Sequence, residues 1–212
     1  MASLANQPSI VVVGAWNPAI LQPHWLAKEV YEIPEGQEFP ATMAFSTDPG
    51  APPKCSIGGI SYIASSDRLT VFVEGTEQAN LEEAGQRTGS ILRSLSHTPV
   101  SAMGQNFEFK IEAPSQDLLN VFEINDDLIS RVPEAYALQG TSIQSTLRLE
   151  SGILNLTRAF DVSNGVAYIK FNFHNDLGSA EDAATKLESS FWTNYQIADE
   201  ILKSYDTVLA ED

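Results

Sequence analysis

A chain of 212 residues with 43% hydrophobic residues, 10 Phe, 6 Tyr and 3 Trp carries enough apolar material for a real core, which excludes an intrinsically disordered chain. Its formal charge of −16, from 28 acidic and 12 basic side chains, repels phosphates and disfavours nucleic acid and anionic membrane as partners. Cys55 is the single cysteine, so an intrachain disulfide framework is excluded too.

Residues 1–7 lack a basic stretch, and Ser9-Ile10-Val11-Val12-Val13 is too brief for a signal core, so the expected compartment is cytoplasmic. No apolar run approaches the roughly 20 residues that span a bilayer. The sequon Asn155-Leu156-Thr157 is then incidental.

Ile10 to Val13 is a β-branched run ended by Gly14, and predicts a strand buried on both faces. A short helix over 23–31 and a strand over 39–45 follow, and Asp48-Pro49-Gly50-Ala51-Pro52-Pro53 is the strongest turn cluster. Residues 57–64 and 69–74 flank a turn at 65–68 and predict a hairpin. Asn80 with Glu83 has the spacing of a capping box for a helix running to about Ser96. Gly85 and Gly89 in that helix suggest close approach to a sheet.

Phe107, Phe109 and Ile111 alternate with Glu108, Lys110 and Glu112, a strand with one wet face. Pro114-Ser115 opens a short helix that Asn125-Asp126-Asp127 ends. A three-stranded meander fits 140–174, with Asn164-Gly165 read as a type I′ turn. Ser179 and Asp182 then cap a helix whose apolar residues recur every 3 or 4 positions from Ala184 to Leu209.

The elements predict an α+β fold: an antiparallel β-sheet packed against helices, with a long C-terminal amphipathic helix. Residues 1–212 form one domain, with 1–112 and 113–212 as candidate sub-halves. The similar strands 105–109 and 170–174 hint at two related half-sheets. The front of the last helix should cover the 140–174 meander.

Gln7-Pro8-Ser9-Ile10-Val11, Phe39-Pro40 and Met103-Gly104-Gln105-Asn106 resemble a sporadically distributed bacterial family of conserved proteins of unknown function. The resemblance extends over most of the chain in layout. It implies an architecture and carries over no functional residues.

Glu108-Phe109-Lys110 has the E-x-K spacing of metal-dependent nucleases, with Asp67 as the upstream acid, and is equally ordinary salt-pair patterning on a wet strand. His174-Asn175-Asp176 with Glu181 or Asp182 offers one imidazole, thin for zinc. Glu123, Asp126 and Asp127 lack the spacing of a calcium loop. His24, His97 and Cys55 join no nucleophile motif, and no phosphate-binding loop is present.

The expected function is that of a non-enzymatic protein-interaction or assembly subunit of bacterial or phage origin, with no cofactor and no metal. Its partner is another protein or a second copy in a homo-oligomer. The expected interface is the distal part of the last helix, with Trp192, Leu202, Tyr205 and Leu209. The alternatives are a small-ligand or enzymatic pocket between sheet and helices, and a nuclease using Glu108 and Lys110.

Overall fold

The structure, a computed structural model, describes residues 2–48, 50–122 and 137–206. In chain order the first half contributes β1 (Ala2–Leu4), β2 (Ser9–Gly14), α1 (Pro23–Glu29), β3 (Ala41–Ala44), β4 (Lys54–Ile57), β5 (Ile60–Ala64), β6 (Arg68–Val73) and α2 (Gln78–Ser94). The second half contributes β7 (Val100–Glu112), α3 (Gln116–Val121), β8 (Gly140–Leu149), β9 (Gly152–Asp161), β10 (Val166–Asp176) and α4 (Ala180–Asp206). The strands form one antiparallel sheet in the order β3-β4-β5-β6-β2-β7-β10-β9-β8. β1 continues the flank of β7 that β2 occupies, pairing with Phe109 to Ile111.

Alternation sorts the side chains onto two faces. Ile10 and Val12, Leu69, Val71 and Val73, Phe107, Phe109 and Ile111, and Ala167, Ile169, Phe171 and Phe173 all enter one core. Every described helix packs on that side. Phe191 of α4 stacks on Phe107 with centroids 5.3 Å apart, and Phe122, just after α3, stacks on Phe160 at 5.7 Å. Leu26 of α1 is fully buried, and Arg87 of α2 lies over the Tyr31 ring and donates to the Val30 carbonyl. The space between sheet and helices is therefore filled with aromatic and aliphatic side chains. This is an α+β fold with an antiparallel sheet and a long C-terminal helix, and no described helix is long and apolar enough to cross a membrane.

Gln105, Asn194 and Thr88 are polar side chains built into that core. Gln105 is 0% exposed; its Nε2 donates to Ser190 Oγ at 2.6 Å, and its Oε1 accepts from Asn194 Nδ2 at 2.7 Å. This pair of bonds pins α4 to β7 at one rotation and one height. A shift of the helix would leave buried amides unpaired, at about 1–3 kcal/mol each.

Several local expectations change. β2 is not buried on both faces along its length: on the far side Val13 is 41% exposed, whereas Ser9 is 8% exposed between Phe72 and Asn106. α2 begins earlier than Asn80, after Glu77; Asn80 Nδ2 instead ties down the preceding turn through the Glu74 carbonyl and Glu77 Oε2, while Glu83 pairs with Arg87. Asn164-Gly165 is not a type I′ turn, since only Gly165 has positive φ. Asp161 organises that four-residue connection, accepting from Ser163 N, Ser163 Oγ and Asn164 Nδ2. α4 leans less on the meander than on α2 and β7, where Phe107 and the Gln105 bonds hold it. Ser179 caps it as expected, accepting from Asp182 N. Glu123, Asn125, Asp126 and Asp127, Pro49 and Leu209 lie outside the described residues.

The two alike strands, 105–109 and 170–174, are direct neighbours: Phe107 faces Phe171 across β7 and β10. The repeated unit is larger. β2, α1, the β4-β5-β6 meander and α2 have the same order as β7, α3, the β8-β9-β10 meander and α4. The boundary suggested at 112/113 falls inside the second unit, between β7 and α3.

Gly85 serves the contact between the long helices, not a contact with the sheet. A Cβ there would sit 2.7 Å from the Leu187 carbonyl oxygen of α4, whereas one on Gly89 would meet Ala184 O at an ordinary 3.5 Å. Gly85→Ala should therefore lower stability by about 1–3 kcal/mol, since α4 must move. Gly89→Ala should be neutral or gain up to about 1 kcal/mol from helix propensity. Urea melts of the two variants check the contrast.

Tyr62 is 1% exposed, and its hydroxyl lies 2.9 Å from that of Tyr31, which donates in turn to the Ile57 carbonyl at 3.2 Å. Burial, with the Tyr31 contact adding to it, pushes the Tyr62 pKa far above its ordinary value. A group whose folded pKa is raised contributes stability that is intact below its unfolded value and lost as pH rises beyond it. Stability should hold up to about pH 10 and fall steeply above it. Tyr62→Phe should cost about 1 kcal/mol at neutral pH and flatten the alkaline decline, as read by urea melts from pH 8 to 12.

Candidate functional site

The uncovered face of the sheet carries a straight row of side chains at one register. Thr42, Ser56, Ser61, Phe72, Ser9, Asn106, Asn172, Asn155 and Thr146 stand directly opposite one another across nine strands, from β3 to β8. Eight of the nine are hydroxyl or amide residues, all neutral.

Hydrogen bonds link the row laterally, and in its main part they run one way. Thr146 Oγ1 donates to Asn155 Oδ1 at 3.0 Å, and Asn155 Nδ2 to Asn172 Oδ1 at 3.2 Å. Asn172 Nδ2 donates to Asn106 Oδ1 at 2.6 Å, and Asn106 Nδ2 to Ser9 Oγ at 3.4 Å. Ser56 and Ser61 form a separate rung at 2.8 Å. Aligned amide dipoles polarise one another, so such a chain is stiffer than isolated pairs. Each asparagine has two N–H donors and two acceptor lone pairs, and the chain uses one of each. The second N–H and second lone pair remain for a ligand.

The sequence makes local room for this. Pro8 cannot donate to a ladder, and the chain steps from β1 to β2 around it; its carbonyl takes Val73 N, and Ser9 then enters the row. Gly104 stands beside Asn106 and Asn172, where a Cβ would come 2.9 Å from Asn172 Nδ2. The run Gly104-Gln105-Asn106 thus clears the row, pins α4 from the opposite face and supplies the middle amide.

Around the middle of the row lies a trough of about 700 Å³, lined among others by Asn6, Gln7, Phe72, Gln144, Thr157 and Lys170. Its charges are paired. Glu108 Oε1 meets Lys170 Nζ at 2.9 Å, and Glu108 Oε2 accepts from Asn6 Nδ2 at 2.6 Å. Lys54 Nζ lies 5.9 Å from the centre of the Phe72 ring. A second hollow of about 400 Å³ sits beside α1, between His24, Lys28 and the loop carrying Glu32 to Gln37. No comparable chain of side-chain hydrogen bonds spans that hollow among the described residues.

The residues singled out in the sequence are scattered. Glu108 and Lys110 do share the uncovered face, but Lys110 turns to Glu112 at 2.7 Å, which raises the lysine pKa and lowers that of the carboxyl. Asp67 pairs with Arg68 and Ser65, which holds its carboxyl down at about 2. It lies beside Gly14, at the end of β2 away from Glu108, so the three groups do not converge. His174 Nε2 meets Asp176 Oδ1 at 3.1 Å, whereas Asn175 Oδ1 accepts from Lys186 of α4 and Glu181 faces Arg93. No group of three or more His, Cys, Asp and Glu gathers at metal distance among the described residues. Cys55 is buried in the core, which pushes its thiol pKa up.

On the last helix, Leu202 is 6% exposed within the single chain, and Trp192 and Tyr205 pack half-buried against the core. Trp192 also stacks on Tyr195 with centroids 5.5 Å apart. No protein-family model matches the chain, and no curated protein is significantly similar to it. The site is read from its own chemistry.

Gly104→Ala tests the row directly. The new methyl must displace the Asn172 amide, breaking its bonds to Asn106 and Asn155, while the Gln105 pin on the opposite face stays intact. The side-chain amide signals of Asn172 and Asn106 should move in a nitrogen–proton correlation spectrum. The urea midpoint should fall by the equivalent of about 1–2 kcal/mol.

Proposed function

We propose that the protein is a non-enzymatic binding subunit that takes its ligand across the uncovered face of the sheet. The observation that carries this reading is the one-way hydrogen-bonded row Thr146-Asn155-Asn172-Asn106-Ser9, fixed in place before any ligand arrives yet with half of each amide's capacity unspent. Preorganised polar groups cost little entropy on binding, which is what a recognition surface needs. The paired state of Glu108 and Lys170 fits the same role, because each charge is already engaged with the other. His24 on α1, His97 in the connection after α2, His174 on β10 and a thiol in the core are separate from one another along the fold.

The expected mode of action is an interaction made over a broad, shallow surface. Among the described residues, aromatic and aliphatic side chains pack between sheet and helices, which favours the open face over an enclosed pocket. The distal part of α4 contributes to folding through Leu202, and its half-buried Trp192 and Tyr205 offer a smaller contact than the sheet face does.

A thermal-shift panel of oligosaccharides, extended peptides and nucleotides, run on wild type and on the Asn106→Ala/Asn172→Ala variant, tests the reading. Ligands that raise the wild-type Tm should leave the double variant unmoved, although its circular dichroism stays that of the wild type. Ligands that stabilise both proteins equally would place binding elsewhere and overturn it.

A further inference from the structure

We propose that the ligand of this face is a linear, uncharged, hydroxyl-rich chain, an oligosaccharide, laid across the strands along the row; this rests on the uncovered face being the binding surface.

Shape comes first. The linked part of the row, Thr146-Asn155-Asn172-Asn106-Ser9, crosses five strands about 4.8 Å apart and so runs about 19 Å, which matches an elongated chain better than a compact small molecule. The trough occupies its middle, with Asn106, Asn155 and Asn172 among its lining residues.

Charge comes second. The row is neutral, and the lysines flanking its middle are engaged, Lys170 with Glu108 and Lys54 over the Phe72 ring. An anionic chain would meet no unpaired lysine among the described residues lining the trough and would approach against a net charge of −16. A strongly cationic chain would find a single carboxylate in the trough, Glu108, already held by Lys170 and Asn6.

Hydrogen-bonding grammar comes third. What the row leaves unspent is one donor and one acceptor per amide, repeated strand after strand. A hydroxyl both donates and accepts, so a sugar chain can bridge successive amides in either orientation. An extended peptide advances about 3.3 Å per residue, so its fixed N–H donors and C=O acceptors fall out of step with rungs about 4.8 Å apart. Phe72 is the one aromatic in the row, placed two strands from Asn106, where it can meet the C–H face of a sugar ring.

The test is titration of nitrogen-15-labelled full-length protein with neutral hexasaccharides of glucose, xylose and N-acetylglucosamine. A hexagalacturonate and a neutral Gly-Ser-Thr peptide run in parallel. At least one neutral hexasaccharide should shift the side-chain amides of Asn106, Asn155 and Asn172, and bind more tightly than its trisaccharide. Its affinity should fall by about tenfold or more in Asn106→Ala/Asn172→Ala, and in Asn155→Ala should the double variant lose its fold. Row shifts with the peptide or the acidic sugar alone would overturn the ligand class while leaving the binding face standing. Silence of the row toward every probe would overturn the ligand class as well. Shifts confined to the helix side would overturn both.

Discussion

Eleven consecutive residue pairs, from Val166–Glu112 to Asp176–Ala102, join β7 to β10, and this register settles both faces of the sheet together. It sets Phe107 opposite Phe171 and Phe109 opposite Ile169 on the covered side, and Asn106 opposite Asn172 on the bare side. A slip of one residue would turn the asparagines into the core and the phenylalanines into water. Each large apolar side chain so exposed forfeits about 1.5–3 kcal/mol, so the aromatic core enforces the register that aligns the amides. The polar row does not have to hold the sheet together by itself.

Why one face stays bare follows from the repeat. The two units, each a strand, a short helix, a meander and a long helix, join through antiparallel β2 and β7 at the centre of the sheet. An approximate twofold axis perpendicular to the sheet at that seam leaves both long helices on the same side. α2 and α4 then lie against each other, close enough at Gly85 that no side chain fits, and Arg93 of α2 bridges to Glu188 and Glu181 of α4. Antiparallel sheets tolerate one face without helices, and here no described helix covers that face.

Periodicity within a single element was legible in the sequence. The final helix, its Ser179 cap, the 57–74 hairpin and the 140–174 meander emerge from spacing alone, because their signals are local. What depended on partners was not. Gly85 pointed to a close approach, but only the packed helices show that α4 is what approaches. Asn164-Gly165 has the residues of a type I′ turn, yet Asp161 accepts three hydrogen bonds and draws the connection into another conformation. The row was invisible for the same reason: Ser9, Asn106, Asn155 and Asn172 are far apart in the chain, and each reads alone as an ordinary wet-face residue. Only the interstrand register makes them one object.

A row of cross-strand amides can serve the sheet alone, and pair energies decide how far that account reaches. Cross-strand polar pairs stabilise a sheet by about 0.2–1 kcal/mol each, and pairs of β-branched residues would do as well. Stability therefore gives little reason to choose asparagine, whose strand propensity is poor, at three adjacent central positions. It gives even less reason to keep Gly104 beside them, since glycine weakens a strand and its value here is the space it leaves for Asn172. The sequence accepts both costs within its one described sheet, on the face that no described helix covers. Departures from local preference that converge on one surface are the signature of a functional demand. What the surface supplies in return is a line of half-satisfied amides, held rigid by the core beneath them.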